Sequence, residues 1–170
     1  GLILGICNGF QALIKSGLLP YGDVTKLDEN NPTLFRNNIN RHVSHIARTR
    51  ITSNKSPWLQ GLVPASMYSI AMSHGEGKFT ASQEVVEKLI ANGQVVTQYV
   101  NEFGHPTMNG LDNINGSTMA IEGICSEDGM ILGKMGHSER YEDGLFQNIA
   151  GDKDQDIFAN GVRFFTHKSC

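Results

Sequence analysis

The stretch Gly1-Leu2-Ile3-Leu4-Gly5-Ile6-Cys7-Asn8-Gly9-Phe10-Gln11 decides how the rest of the chain is read. Leu2, Ile3, Leu4 and Ile6 form a short apolar run of the kind found in a strand buried on both faces. Gly5, Cys7 and Gly9 then follow at a spacing of two, the pattern of a nucleophile elbow. In such an elbow a strand turns abruptly into a helix and holds one side chain in a strained backbone conformation, and small residues two before and two after it relieve the crowding. Here that side chain is a thiol. A helix starting near Asn8 sets its positive end under Cys7, which favours the nucleophilic thiolate and predicts a lowered pKa. The backbone N–H of Asn8 is the natural first donor to an oxyanion. The structural alternative is a small buried hydrophobe, the commoner fate of a cysteine.

Composition excludes several classes of function. A chain of 170 residues with 39% hydrophobic and 18% charged residues can build one real core. A net charge of −3 without a basic cluster argues against nucleic acid as a partner. No apolar run reaches the length needed to span a membrane. Three widely spaced cysteines, Cys7, Cys125 and Cys170, make a poor disulfide framework and point to a reducing, cytoplasmic setting. Numbering that opens inside a strand reads as the later part of something longer, so residues 1–170 are expected to be one partial domain.

Outward from the elbow, a helix over 9–15 is ended by Gly17, and the segment carrying Pro20 and Pro32 reads as surface connection. Residues 34–52 alternate loosely, as in a half-exposed antiparallel pair. His42 and His45 there do not form a metal site, because a spacing of three on a strand sends the rings to opposite faces and no acidic or cysteine ligand is near. Ser56-Pro57-Trp58-Leu59 predicts one helical turn with Trp58 inward. Residues 67–73 alternate as a strand and end in Ser73-His74-Gly75-Glu76-Gly77. Its glycines let backbone approach a ligand, and His74 and Glu76 are suited to the charged ends of an amino acid, although a plain polar turn has the same composition.

Thr80-Ala81-Ser82-Gln83 resembles a capping box, ahead of a helical stripe of Val85, Val86, Leu89 and Ile90. Residues 94–100, 118–125 and 130–135 read as strands of a hairpin sheet, with Asn109-Gly110 and Asn115-Gly116 at turns. A closing helix over 156–165 is expected to bury Ile157, Phe158, Val162 and Phe165. The last strand runs into Gly136-His137-Ser138-Glu139-Arg140. His137 and Glu139, two apart, can point the same way, with the acid orienting an imidazole that serves as base for Cys7. Together the elbow and this pair make a cysteine–histidine–glutamate triad the leading reading, and the sheet with its helices an α/β fold.

Gly5-Ile6-Cys7-Asn8-Gly9-Phe10-Gln11, Ser73-His74-Gly75-Glu76-Gly77, Asn115-Gly116-Ser117 and Gly136-His137-Ser138-Glu139-Arg140 resemble, in order, segments of the C-terminal glutaminase domain of phosphoribosylformylglycinamidine synthases. The resemblance spans nearly the whole chain. It implies a class I glutamine amidotransferase-like mixed sheet flanked by helices, lacking its N-terminal strands. It implies release of ammonia from glutamine through a thioester on Cys7, with His137 and Glu139 completing the triad. The family's substrate contacts carry over to Gln11 and to Ser73, His74, Gly75 and Glu76. It further implies a synthetase region, in the same enzyme or a partner chain, that binds ATP and magnesium and aminates formylglycinamide ribonucleotide for purine biosynthesis. No Walker-type phosphate loop occurs here, so ATP is expected to bind outside this chain and no metal within it.

Two departures stand out. Many members carry His-Pro-Glu where this chain has His137-Ser138-Glu139, which keeps the spacing without proline's stiffening. The family's upstream glycine-rich loop, which supplies a second oxyanion donor, is absent from these residues. Loss of such a donor costs on the order of a hundredfold to a thousandfold in rate, which implies a weak or inactive isolated chain. Another cysteine hydrolase of similar architecture, or an inactive fragment or docking module, are the alternatives.

Overall fold

The computed structural model describes residues 1–24 and 27–166; Cys170 lies outside the described residues. The chain runs β1 (Ile3–Ile6), α1 (Asn8–Lys15), α2 (Leu18–Tyr21), β2 (Thr33–Phe35), β3 (Val43–Ile51), β4 (Met67–His74), β5 (Lys78–Thr80), α3 (Gln83–Ala91), β6 (Val95–Tyr99), β7 (Ile121–Cys125), β8 (Ile131–Lys134) and α4 (Ile157–Thr166). Single 3₁₀ turns occupy Pro57–Leu59, Thr118–Ala120 and Ser138–Arg140. Six strands form a mixed sheet in the order β1-β8-β7-β6-β3-β4, and β2 with β5 makes a separate ribbon. Among the strands of the described residues only β1 and β8 pair in parallel, with Ile3 opposite Ile131 and Ile6 opposite Lys134.

Alternation along the central strands sorts the core into two layers. Val95, Ile124 and Ile131 face Phe10, Leu13 and Ile14 of α1 and Val86 and Leu89 of α3. Their neighbours Val96, Cys125 and Leu132 face the opposite layer with Leu59, Tyr68, Ile70 and Ile157. This period of two, with helices on both faces, is the expected mixed α/β sheet.

Several local expectations are revised. β1 is not buried on both faces: its burial alternates and Ile3 is exposed, and among the described residues it pairs with β8 alone. The segment after α1 is surface connection only in part: Leu19 and Pro20 of α2 are buried, while residues 21–24 and 28–30 are exposed. β2 and β3 do not pair with each other; β3 lies antiparallel between β4 and β6. The cap of α3 is Ser82, whose hydroxyl accepts from Val85 N–H at 3.4 Å, and Ile90 is exposed. In α4 only Ile157, Asn160 and Gly161 are buried, and Phe158, Val162 and Phe165 are exposed. The reason is a close approach: a Cβ on Gly161 would lie 2.3 Å from the Trp58 ring, so the helix seats its glycine face. Trp58 is held there by its indole N–H, which donates to the Ile3 carbonyl at 3.0 Å.

The glycines of the elbow have different duties. A Cβ on Gly5 would stand 2.5 Å from Leu13 Cδ1 and 2.7 Å from the Gly9 carbonyl carbon, whereas a Cβ on Gly9 would meet nothing. Gly5 is therefore what lets α1 fold back on β1, and Gly9 supplies the backbone it meets. Gly5→Ala is expected to destabilise by about 1–3 kcal/mol through overpacking. Gly9→Ala should stay within about 1 kcal/mol of the parent, on the stabilising side, because its Cβ meets nothing and alanine has the better helix propensity. Denaturant unfolding midpoints of the two variants check this.

Candidate functional site

Cys7 caps α1 with φ 53° and ψ −106°, outside the regions ordinary side chains occupy. Its conformation is fixed from both sides: Cys7 N–H donates to the Lys134 carbonyl at 2.9 Å, and its own carbonyl accepts from Gln11 N–H at 3.1 Å. The thiol lies 3.7 Å from the Ser73 carbonyl. Burial pushes the Cys7 thiol up from its ordinary pKa, and this outweighs the Asn8 N–H and the Arg140 guanidinium, which both favour the thiolate. The lowered value expected from an elbow at a helix start is thus reversed, because desolvation of the anion exceeds what one N–H and a partly exposed arginine return.

His137 follows β8 by three residues. Its N–H donates to the Ala71 carbonyl at 2.8 Å and its Nδ1 lies 2.5 Å from Glu139 Oε1. Nδ1 so held carries the proton, which leaves Nε2 as the basic nitrogen, and Nε2 is buried without a protein partner. Glu139 is partly exposed and also lies 3.8 Å from Arg140 Nε.

The third wall is the loop between β4 and β5. Gln11 Nε2 donates to the Glu76 carbonyl, tying α1 to this loop. The Glu76 carboxylate lies at the rim, 3.8 Å from Arg36. Asn37, which the sequence reading did not single out, organises the turn: its amide donates to the His74 carbonyl at 2.8 Å, and its carbonyl oxygen accepts from Gly77 N–H at 3.2 Å and meets His74 Nδ1 at 3.1 Å. A Cβ on Gly77 would strike the His74 ring at 2.4 Å. Below it, Asn115 donates to the Gly77 carbonyl at 2.8 Å and Ser117 Oγ accepts from Phe79 N–H at 3.0 Å, so the Asn115-Gly116-Ser117 segment props the loop from beneath.

These walls enclose an open cleft of about 530 Å³. Every side chain proposed from the sequence except Glu139 lines it: Cys7, Asn8, Gln11, Ser73, His74, Gly75, Glu76 and His137. Glu139 stands behind His137. Arg140 and His42 also line it, and neither was singled out for this role. His42 Nε2 meets Ser73 Oγ at 3.0 Å. Arg140 was legible as the cation closing the His-Ser-Glu-Arg run; His42 was not, since only the β3–β4 register carries it to the cleft. Among the described residues no group of three or more histidine, cysteine or acidic side chains is gathered as a metal site. No described helix is long and apolar enough to cross a membrane.

Residues 1–165 match the CobB/CobQ-like glutamine amidotransferase domain family. The chain is 36% identical over 158 residues to the phosphoribosylformylglycinamidine synthase subunit PurQ of Thermomicrobium roseum, covering 93% of this chain and 60% of that protein. It is 34% identical over 145 residues to PurQ of Rhodopseudomonas palustris, covering 85% and 57% respectively. A chain in the structure of PurLQS from Thermotoga maritima superposes with a TM-score of 0.69 at 25% identity, over 96% of this chain and 62% of that one. The chain thus spans about three fifths of the length of these relatives.

His74 supplies a test of the geometry. Burial, reinforced by the His42 and His137 imidazoles and opposed by Glu122, lowers its pKa from 6.5 to about 4. The unfolded chain therefore takes up a proton that the native protein refuses, and stability falls as pH drops from about 6.5 towards 4. The contribution is at most about 3 kcal/mol. Urea unfolding of the parent and of His74→Gln between pH 7 and pH 4 should give a shallower acid decline in the variant; parallel declines would contradict the assignment.

Proposed function

Because the chain belongs to the CobB/CobQ-like glutamine amidotransferase domain family, we propose that it is the glutaminase part of a phosphoribosylformylglycinamidine synthase, a reading its PurQ relatives support. The observation that carries it is the meeting, in one cleft, of a cysteine on a strained strand-to-helix elbow and a histidine whose far nitrogen is held by a carboxylate.

In this mechanism His137 Nε2 takes the Cys7 proton as the sulfur attacks the carboxamide carbon of glutamine. Glu139 holds the tautomer and stabilises the imidazolium. The Asn8 N–H meets the developing oxyanion. His137 then protonates the departing ammonia, leaving a thioester on Cys7, and next removes a proton from the water that hydrolyses it to glutamate. Gln11 and the Ser73–Gly75 backbone position the amino acid, and Glu76 at the rim suits its ammonium. His74, neutral above pH 4, adds no charge and shapes the inner wall. The raised thiol pKa fits this scheme: the resting nucleophile is protonated and becomes reactive only by transfer to the imidazole.

The ammonia passes to a synthetase region, in the same polypeptide or a partner chain, which uses ATP and magnesium to aminate formylglycinamide ribonucleotide in cytoplasmic purine synthesis. A glutamine-mimicking electrophile should label Cys7 in the complete enzyme, with protection by glutamine, while Cys125, whose thiol burial raises to about 11, stays unlabelled. Cys7→Ala should lower glutamine-dependent amination by roughly 10³-fold or more, yet spare amination driven by added ammonia. Intact glutamine-dependent activity in that variant, or loss of the ammonia-driven reaction in a folded one, would overturn the assignment.

A further inference from the structure

Beneath the His137 loop lies a charge pair that the triad does not use. Glu122 of β7 and Lys134 at the end of β8 are fully buried, with Nζ 3.7 Å from Oε1. Glu122 accepts from Gly136 N–H at 2.5 Å through one oxygen and from the Thr97 hydroxyl through the other. Lys134 spends its three N–H donors on the Gly136 carbonyl at 3.1 Å, Ser138 Oγ at 2.7 Å and Gln155 Oε1 at 3.0 Å. Ser138 Oγ in turn donates to Gln155 Oε1 at 2.6 Å. The residues on both sides of His137 are therefore gripped by one buried pair, the carboxylate holding the N–H of Gly136 and the ammonium holding its carbonyl and the Ser138 hydroxyl. The loop sits directly on the pair: a Cβ at Gly136 would stand 2.9 Å from Glu122 Oε1 and 3.3 Å from Lys134 Nζ.

A buried ion pair is a poor stabiliser, since apolar residues of similar volume do as well or better. Burial also lowers the Lys134 pKa against the opposing pull of Glu122 and Glu139. What apolar residues would not supply is directed bonds to a loop that has only the single 3₁₀ turn Ser138–Arg140, and serine in place of proline at 138, to fix it. We propose that Glu122 and Lys134 are positioning residues that, through Gly136 and Ser138, set the His137 imidazole at the distance from Cys7 that proton transfer requires. This rests on the glutaminase reading of the site.

The test uses the complete enzyme. Glu122→Gln/Lys134→Met removes both charges together, so no uncompensated ion is left in the core, and Ser138→Ala leaves the pair intact while cutting one tether. The double variant should unfold cooperatively yet lose about 10- to 100-fold in glutaminase kcat, the scale of a misplacement of about 1 Å, with KM for glutamine within about twofold. Ser138→Ala should lose roughly 3- to 10-fold in kcat, Ser138→Thr should restore most of it, and Ser138→Ala added to the double variant should cost clearly less than it does alone, because the Lys134 half of its tether is already gone and only the bond to Gln155 remains. His137→Ala, inactive on the glutaminase reading, is the control. A folded double variant with parental kcat, a Ser138→Ala enzyme with parental kcat, or fully additive losses would overturn the clamp while His137→Ala stays inactive. Glutamine hydrolysis that survives His137→Ala would overturn the reading of the site and the clamp with it.

Discussion

The parallel pairing of β1 with β8 is the constraint on which the site depends. Parallel strands end on the same side of a sheet, so whatever follows each strand emerges at one edge. With Ile6 opposite Lys134 and Cys7 N–H bonded to the Lys134 carbonyl, the elbow begins where β8 stops, and His137 arrives three residues later. A slip of one residue in this pairing would turn the β1 side chains to the opposite faces and carry Cys7 away from the β8 end. The register is held by packing: Leu4 shares one core layer with its partner Leu132, while at Gly5 a Cβ would strike Leu13 of α1, so a slip of one residue would set a side chain where only glycine fits.

The antiparallel part of the sheet supplies the opposite wall by a different route. β4 reaches the cleft at its C-terminal end, where backbone groups leave the ladder and must find other partners. Asn37 meets that need, since one carboxamide satisfies the His74 carbonyl, the Gly77 N–H and the His74 ring. Asn115 and Ser117 do the same one layer down. The loop is thus held by side-chain amides, without a strand or helix of its own, where it borders the cleft.

How much of this could be read from the sequence follows the range of the interactions. The elbow, the His-x-Glu pair and the alternating strands are local patterns, and they appear where the spacing puts them. Phe158, Val162 and Phe165 make a plausible inward stripe, yet the face of α4 that packs is chosen by the Gly161–Trp58 approach across about a hundred residues of sequence. Asn37 and His42 gave no local signal, as an asparagine in a polar loop and a histidine before a strand are ordinary. Lys134 did give one: a lysine in the apolar run Met130-Ile131-Leu132-Gly133-Lys134-Met135 breaks the pattern of a buried strand, and Glu122 breaks β7 in the same way.

The elbow and the burial around it oppose each other in a way that shapes the chemistry. Backbone strain and the start of α1 bring an N–H to the sulfur, which favours an anion; the protein packed around the thiol disfavours one, and burial is the larger effect. A cysteine kept permanently ionised would react with any electrophile reaching an open cleft. A cysteine kept protonated, beside a histidine with one free basic nitrogen, becomes a nucleophile only when the proton transfer is coupled to attack on a bound carbonyl. On the proposed glutaminase reading the rate then depends on how precisely the imidazole is held, and the buried Glu122–Lys134 pair sits directly beneath that loop.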